Sequence, residues 1–277
     1  MERSNYILSI FLLLSSAVNI KYVTAANYRV VGGHEANKMF GYSHVSLQNL
    51  SGHHVCGGAV VSKCHAVTAA HCLDGALPEY IKAVVGTTNL DVGGKQYDVQ
   101  SINVHKEYNA SLRSNDIAII KIKGHFDLGI VEILRLYENE LIEGDELIVT
   151  GFGAKKPNGE SSRIMHMLYL PVFSQETCRF AMRYTRDVLD SMFCTFTRIG
   201  EGTCHGDSGG PIMKNKHLAG LVSWGIPCAV GFPDVHTRIT PYVDWIRAHS
   251  NCSQNSQKNV TVGVEVSVVT RVLRINT

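Results

Sequence analysis

Three short stretches, far apart along 277 residues, carry the side chains of one kind of chemistry and so limit the folds open to the chain. Gly206-Asp207-Ser208-Gly209-Gly210-Pro211 is a loop whose backbone can bend until two main-chain N–H groups, those of Gly206 and Ser208, point at one spot beside the Ser208 hydroxyl. Thr68-Ala69-Ala70-His71-Cys72 sets a histidine at the end of a run of small residues, and Asn115-Asp116-Ile117-Ala118-Ile119-Ile120 sets an aspartate at the mouth of an apolar run. A serine hydroxyl is a weak nucleophile at neutral pH and needs a base within hydrogen-bond reach. The base in turn needs an acceptor that fixes its tautomer and steadies its charge. Singly, each stretch has a plainer meaning: a glycine-rich turn, a buried structural histidine, a capping aspartate. Together they demand a fold that brings three distant loops to one point.

The rest of the pattern is that of strands. Short apolar or alternating runs at 55–61, 66–70, 81–85, 97–104 and 117–122, separated by Gly, Asn and Asp, predict an all-β barrel. A second set follows at 147–150, 165–173, 192–195, 211–213, 217–223 and 234–238. Residues 241–250 predict a terminal helix, with Pro241 at its start and Val243, Trp245 and Ile246 on its apolar face.

With its motifs in this order, the chain from Val30 to about Ser250 resembles the chymotrypsin-like, trypsin-fold serine endopeptidases, in particular arthropod chymotrypsin-like and serine-collagenase-like enzymes. The resemblance implies two six-stranded antiparallel β-barrels with a C-terminal α-helix and the active site between them. His71 is then the general base, Asp116 its orienting carboxylate, Ser208 the nucleophile, and the N–H groups of Gly206 and Ser208 the oxyanion hole. Ser223-Trp224-Gly225 corresponds to the strand that pairs with an extended peptide substrate. Cleavage after Arg29 would free the amino group of Val30 to pair with buried Asp207.

Eight cysteines do not fix their own pairing. The resemblance implies Cys56–Cys72, Cys178–Cys194 and Cys204–Cys228, and leaves Cys64 and Cys252 for a fourth bridge or for two free thiols.

The primary specificity pocket departs from a trypsin. The floor position, six residues before Ser208, is Gly202 rather than aspartate, while Pro233-Asp234-Val235 places a carboxylate on the wall opposite Gly225. If Asp234 is unpaired, Lys or Arg enters; if donors such as Thr203 satisfy it, the space above Gly202 takes large apolar rings. The expectation is cleavage after large hydrophobic or aromatic residues, with some tolerance of basic ones.

Residues 1–26 predict a secretory signal, Glu2 and Arg3 preceding an apolar run too short to cross a bilayer, with small residues Thr24-Ala25-Ala26 at the cut. Residues 27–29 form an activation peptide, 30–250 the protease domain and 251–277 an extension. The extension alternates valines with polar residues from Val260 to Val268 and is expected to be disordered or trimmed, or else to add an edge strand. Export would make the cysteines disulfide candidates and Asn49, Asn109, Asn251 and Asn259 glycosylation candidates.

Expected partners are polypeptide substrates, an activating trypsin-like protease and protein inhibitors, for a secreted monomer that binds neither membrane nor nucleic acid. Lys plus Arg number 26 against 24 Asp plus Glu, with no basic run to track phosphates. The chemistry needs no cofactor and no metal: no His-Glu-x-x-His stands in the chain, and Thr87-Thr88-Asn89-Leu90-Asp91 offers one carboxylate where calcium wants several. Two competing readings are a non-catalytic relative, which usually lacks the serine, and an esterase, whose Gly-x-Ser-x-Gly elbow is missing here.

Overall fold

The computed structural model describes residues 31–252. The expected signal, Arg29, Val30 and the tail from residue 253 lie outside the described residues, as does Asn259.

A two-residue strand β1 (His34–Glu35) leads into the first barrel, made of β2 (His44–Gln48), β3 (His54–Val60), β4 (His65–Thr68), β5 (Lys82–Val85), β6 (Lys95–Val104) and β7 (Ala118–Ile122). These pair in the order β2-β3-β4-β7-β6-β5, and β2 closes on β5 through Ser46↔Val84 and its neighbours. Every step is antiparallel. Val45, Leu47, Val60, Ala66, Val85, Val99, Ile120 and Ile122 fill the interior, as expected of side chains alternating across a pleated wall.

The second half contains β8 (Arg135–Leu136), β9 (Glu146–Gly151), β10 (His166–Phe173), helix α1 (Gln175–Met182), β11 (Met192–Thr195), β12 (Pro211–Lys214), β13 (His217–Trp224), β14 (Asp234–Arg238) and the terminal helix α2 (Val243–His249). Its barrel runs β10-β11-β14-β13-β12-β9, closed by β9 on β10, with β1 added outside β10 and β8 lying parallel to β13. Leu147, Val149, Leu170, Phe193 and Ile212 form its core.

Between the barrels lies a third apolar cluster. Ala59, Val67, Ile117 and Ile119 from the first barrel pack there with Met213, Leu218, Leu221 and Ile239 from the second and with Val243 and Ile246 of α2. Nonpolar surface buried at about 25 cal/mol per Å² makes this seam part of the core rather than a loose domain contact. Two backbones cross it closely: Gly57 N–H donates to the Ser208 carbonyl at 2.7 Å.

All eight cysteines are bonded, as Cys56–Cys72, Cys64–Cys252, Cys178–Cys194 and Cys204–Cys228. Cys178 lies within α1, so its bridge fastens a helix to β11 rather than closing a plain loop. The strand pattern did not announce that helix.

Candidate active site

His71 sits where β4 turns into a 3-10 turn (Ala70–Cys72), held by the Cys56–Cys72 bridge and by fully buried Ala69 and Ala70. Ala70 packs into the first-barrel core, with Cys72 against it. Asp116 lies two residues before β7 and is buried. Its Oδ1 accepts from the His71 main-chain N–H at 2.9 Å, and its Oδ2 meets His71 Nδ1 at 2.8 Å. An ionised carboxylate can only accept, so this contact assigns the proton to Nδ1 and leaves Nε2 with a free lone pair. Oδ2 also accepts from the Ser223 hydroxyl at 2.6 Å. Burial pushes Asp116 up to about 6, while Ser223, Arg113 and the Ala70 amide pull the other way. A carboxylate so desolvated gains strongly from a cation forming on the ring beside it.

Ser208 lies in the loop before β12, on the wall of the same cavity of about 300 Å³ as His71. Around it, the N–H groups of Asp207, Gly209 and Gly210 are taken by the carbonyls of Cys204, Val222 and Asp207. Among the described residues, those of Gly206 and Ser208 have no such backbone acceptor. Two free donors flanking a serine are what a developing oxyanion requires. Gly206 has φ +95°, a left-handed conformation that glycine reaches freely, and its carbonyl meets His54 Nε2 at 2.8 Å. His54 Nδ1 in turn meets Ser46 Oγ at 2.8 Å. Gly209 has φ +74°, and a Cβ there would run into Thr68 Oγ1 and the Gly57 carbonyl.

Asp207 is fully buried, with Oδ1 accepting from Gly153 N–H and Oδ2 from Cys204 N–H, both at 2.9 Å. Burial raises it to about 6 against those two bonds. Val31, the first described residue, packs on Ala154, Cys204 and Cys228, and its carbonyl accepts from Gly202 N–H at 3.0 Å.

The cavity deepens between Thr203, Gly225 and Asp234. Asp234 is buried, its Oδ2 accepting from Thr203 N–H at 2.6 Å. Burial above all raises it to about 7; the Thr203 backbone and hydroxyl bonds lower it, and the charge of Asp207 raises it further. Gly202 does not line the cavity but backs it: a Cβ at Gly202 would stand 2.7 Å from Asp234 Oδ2. Its missing side chain is the room the carboxylate occupies. Trp224 lines the cleft above, with Val222 and Ser223 along the same strand.

His71, Asp116, Ser208, Thr203, Ser223, Trp224, Gly225 and Asp234 are thus brought to one place. Three features escaped the sequence. Ser223, expected only on the substrate-pairing strand, holds Asp116 through its hydroxyl; His54 braces the Gly206 peptide; and Arg113 and Arg186 stand in the cavity wall. No spacing signals them, because each depends on register between segments distant in sequence.

Two clusters have metal-ligand proximity among the described residues, Cys56 with His71 and Cys72, and Cys64 with His65 and Cys252. In both, the sulfurs are tied up as disulfides and are not thiolate ligands.

A family model for trypsin matches residues 30–246. The chain belongs to the trypsin family. Curated relatives agree across most of their length. Chymotrypsin-2 of Vespa crabro is 36% identical over 79% of this chain and 98% of its own. The vitellin-degrading protease of Bombyx mori is 32% identical over 88% and 94%, and trypsin II-P29 of Gallus gallus 33% over 79% and 88%. As a member of the trypsin family the protein is a serine endopeptidase, a hydrolase of polypeptides. No helix among the described residues is long and apolar enough to cross a membrane.

Proposed function

We propose that this endopeptidase cleaves by nucleophilic attack of Ser208 on a peptide carbonyl. His71 Nε2 takes the hydroxyl proton and later returns it to the leaving amine, while Asp116 holds the ring and stabilises its charge. The N–H groups of Gly206 and Ser208 receive the oxyanion, each such donor contributing about 3 to 4 kcal/mol. The observation that carries this reading is the chain from Ser223 through Asp116 to His71, which opens on the same cavity as Ser208 and the two unengaged N–H groups.

The enzyme is made as a secreted zymogen. A fully buried Asp207 with only two amide donors among the described residues needs a cation, and the seating of Val31 on Cys204, whose N–H bonds Asp207, supports the Val30 ammonium freed by cleavage after Arg29. A trypsin-like protease is the activator, and protein inhibitors that present an extended loop are further partners of the monomer.

The primary pocket takes large apolar side chains. Asp234 has its donor already, and burial raises it to about 7, so near neutrality it carries only part of a charge and attracts a cationic side chain less than a fully ionised carboxylate would. A buried ring gains about 1.5 to 3 kcal/mol in the same space. Matched peptides ending in Phe or Arg at the cleaved position test this by kcat/KM. Phe is expected to be preferred, with some Arg cleavage that Asp234→Gly abolishes while sparing Phe. An Arg preference above about tenfold, or 1.4 kcal/mol, contradicts it.

A further inference from the structure

Two arginines that no step above uses stand over the cleft. Arg113, from the loop before Asp116, and Arg186, from the segment after α1, line the cavity together with His71 and Trp224. Arg186 Nε donates to the Ser111 carbonyl at 2.9 Å, tying one loop to the other, and its guanidinium lies 5.1 Å from the centre of the Trp224 ring. Arg113 Nη1 donates to the Tyr108 hydroxyl at 3.3 Å, and its backbone has φ 55°, a left-handed conformation that costs a non-glycine residue roughly 1 kcal/mol or more. The loop sustains that conformation: Asn109 N–H bonds the Ser114 carbonyl, and the Tyr242 hydroxyl donates to Asn115 Oδ1.

Neither forms an ion pair among the described residues; the Asp116 carboxylate acts on both at longer range but is bonded to His71 and Ser223. Among the described residues, the arginines with carboxylate partners are Arg163, Arg179, Arg198 and Arg247. Arg113 Nε is buried without a hydrogen-bond partner. Burial, and then repulsion from Arg113, draw Arg186 below its ordinary value. Two like charges so placed are at their most stable with an anion between them.

We propose that Arg113 and Arg186 select a carboxylate side chain, Glu or Asp, on the substrate residues that precede the pocket-bound one and lie along Trp224. The proposal rests on the peptidase reading above. A substrate strand paired with Ser223–Gly225 sends alternate side chains to opposite faces. With one in the pocket, its neighbour faces the wall carrying the arginines. The fork of a guanidinium matches a carboxylate in two bonds, and the same wall repels a cationic residue.

The test uses activated enzyme and peptides that share one pocket-bound residue and carry Glu, Gln or Lys at each preceding position in turn. At one position kcat/KM for Glu is expected to exceed Gln by about tenfold, with Lys below Gln. The Glu:Gln ratio should shrink toward one in about 1 M salt and in Arg113→Gln and Arg186→Gln. Read within each enzyme, that ratio is independent of how much of a variant folds. Equal cleavage of Glu, Gln and Lys peptides by the wild type overturns the proposal while leaving the peptidase intact. A Glu preference indifferent to salt, or one that survives both substitutions, overturns the assignment to these arginines. Failure to cleave any peptide overturns the peptidase reading, and this proposal with it.

Discussion

Asp234 both lines the cavity and buries a titratable group. Its folded value of about 7 lies above the ordinary carboxylate value of 3.8. The folded state therefore holds a proton that the unfolded chain releases, and stability present below about pH 4 falls as pH rises toward 7. Asp234→Asn keeps an acceptor for Thr203 N–H and removes the titration. Urea unfolding between pH 4 and 8 should show a shallower loss of stability in the variant, the gap reaching at most about 4 kcal/mol above pH 7. Identical slopes would mean that Asp234 does not titrate as its burial dictates. At this scale the sequence was uneven. The meeting of His71, Asp116 and Ser208 at one place was legible because the chemistry expected of them puts those residue types beside small or glycine neighbours. His54 was not legible, since its contact with Gly206 spans the seam between the barrels.

Among the elements, strands β11 and β14 follow the apolar runs at both ends, and the others differ at one or both ends, by up to two residues. The two-residue strands β1 and β8, together with β2 and α1, match none of those runs. β2 alternates polar His44, Ser46 and Gln48 with apolar Val45 and Leu47, but it carries only two apolar residues, too short a run to stand out, although all five positions are buried. α1 buries only Cys178 and Met182 while exposing Phe180, too thin a stripe for helical periodicity to register. The helix starts at Ser174, whose hydroxyl accepts from Thr177 N–H. At the other end of the chain, the bridge Cys64–Cys252 spans 188 positions and fastens the segment after α2 to the first barrel. A closed loop of that length favours the folded state by up to roughly 5 kcal/mol in the chain-entropy account. The double variant Cys64→Ser/Cys252→Ser should unfold at lower urea than the wild type while retaining peptidase activity in native buffer. An unchanged midpoint would show that the bridge adds nothing to the fold.

The whole molecule explains why two barrels were required. His71 and Asp116 hang from the first, Ser208 and Ser223 from the second, and the apolar seam of Val67, Ile119, Leu221 and Ile239 fixes how they meet. Within that seam the Thr237 hydroxyl donates to the Asp116 carbonyl, and Gly57 N–H to that of Ser208. Docking thus sets the relative positions of His71 and Ser208, which neither barrel sets alone. The all-β plan was legible in two sets of short apolar runs and the two-barrel arrangement in the family resemblance; the seam was not, since its residues come from both barrels and a helix. The claim on which everything rests is that Ser208 is the activated nucleophile of the chain cleaved after Arg29. Labelling with a fluorophosphonate, followed by peptide mapping, addresses it directly. The cleaved wild type should be labelled on Ser208, Ser208→Ala should take no label, and the uncleavable Arg29→Gln precursor should react at a small fraction of the wild-type rate. Absence of label in the cleaved wild type, label on another residue, or full reactivity of the precursor would contradict the account.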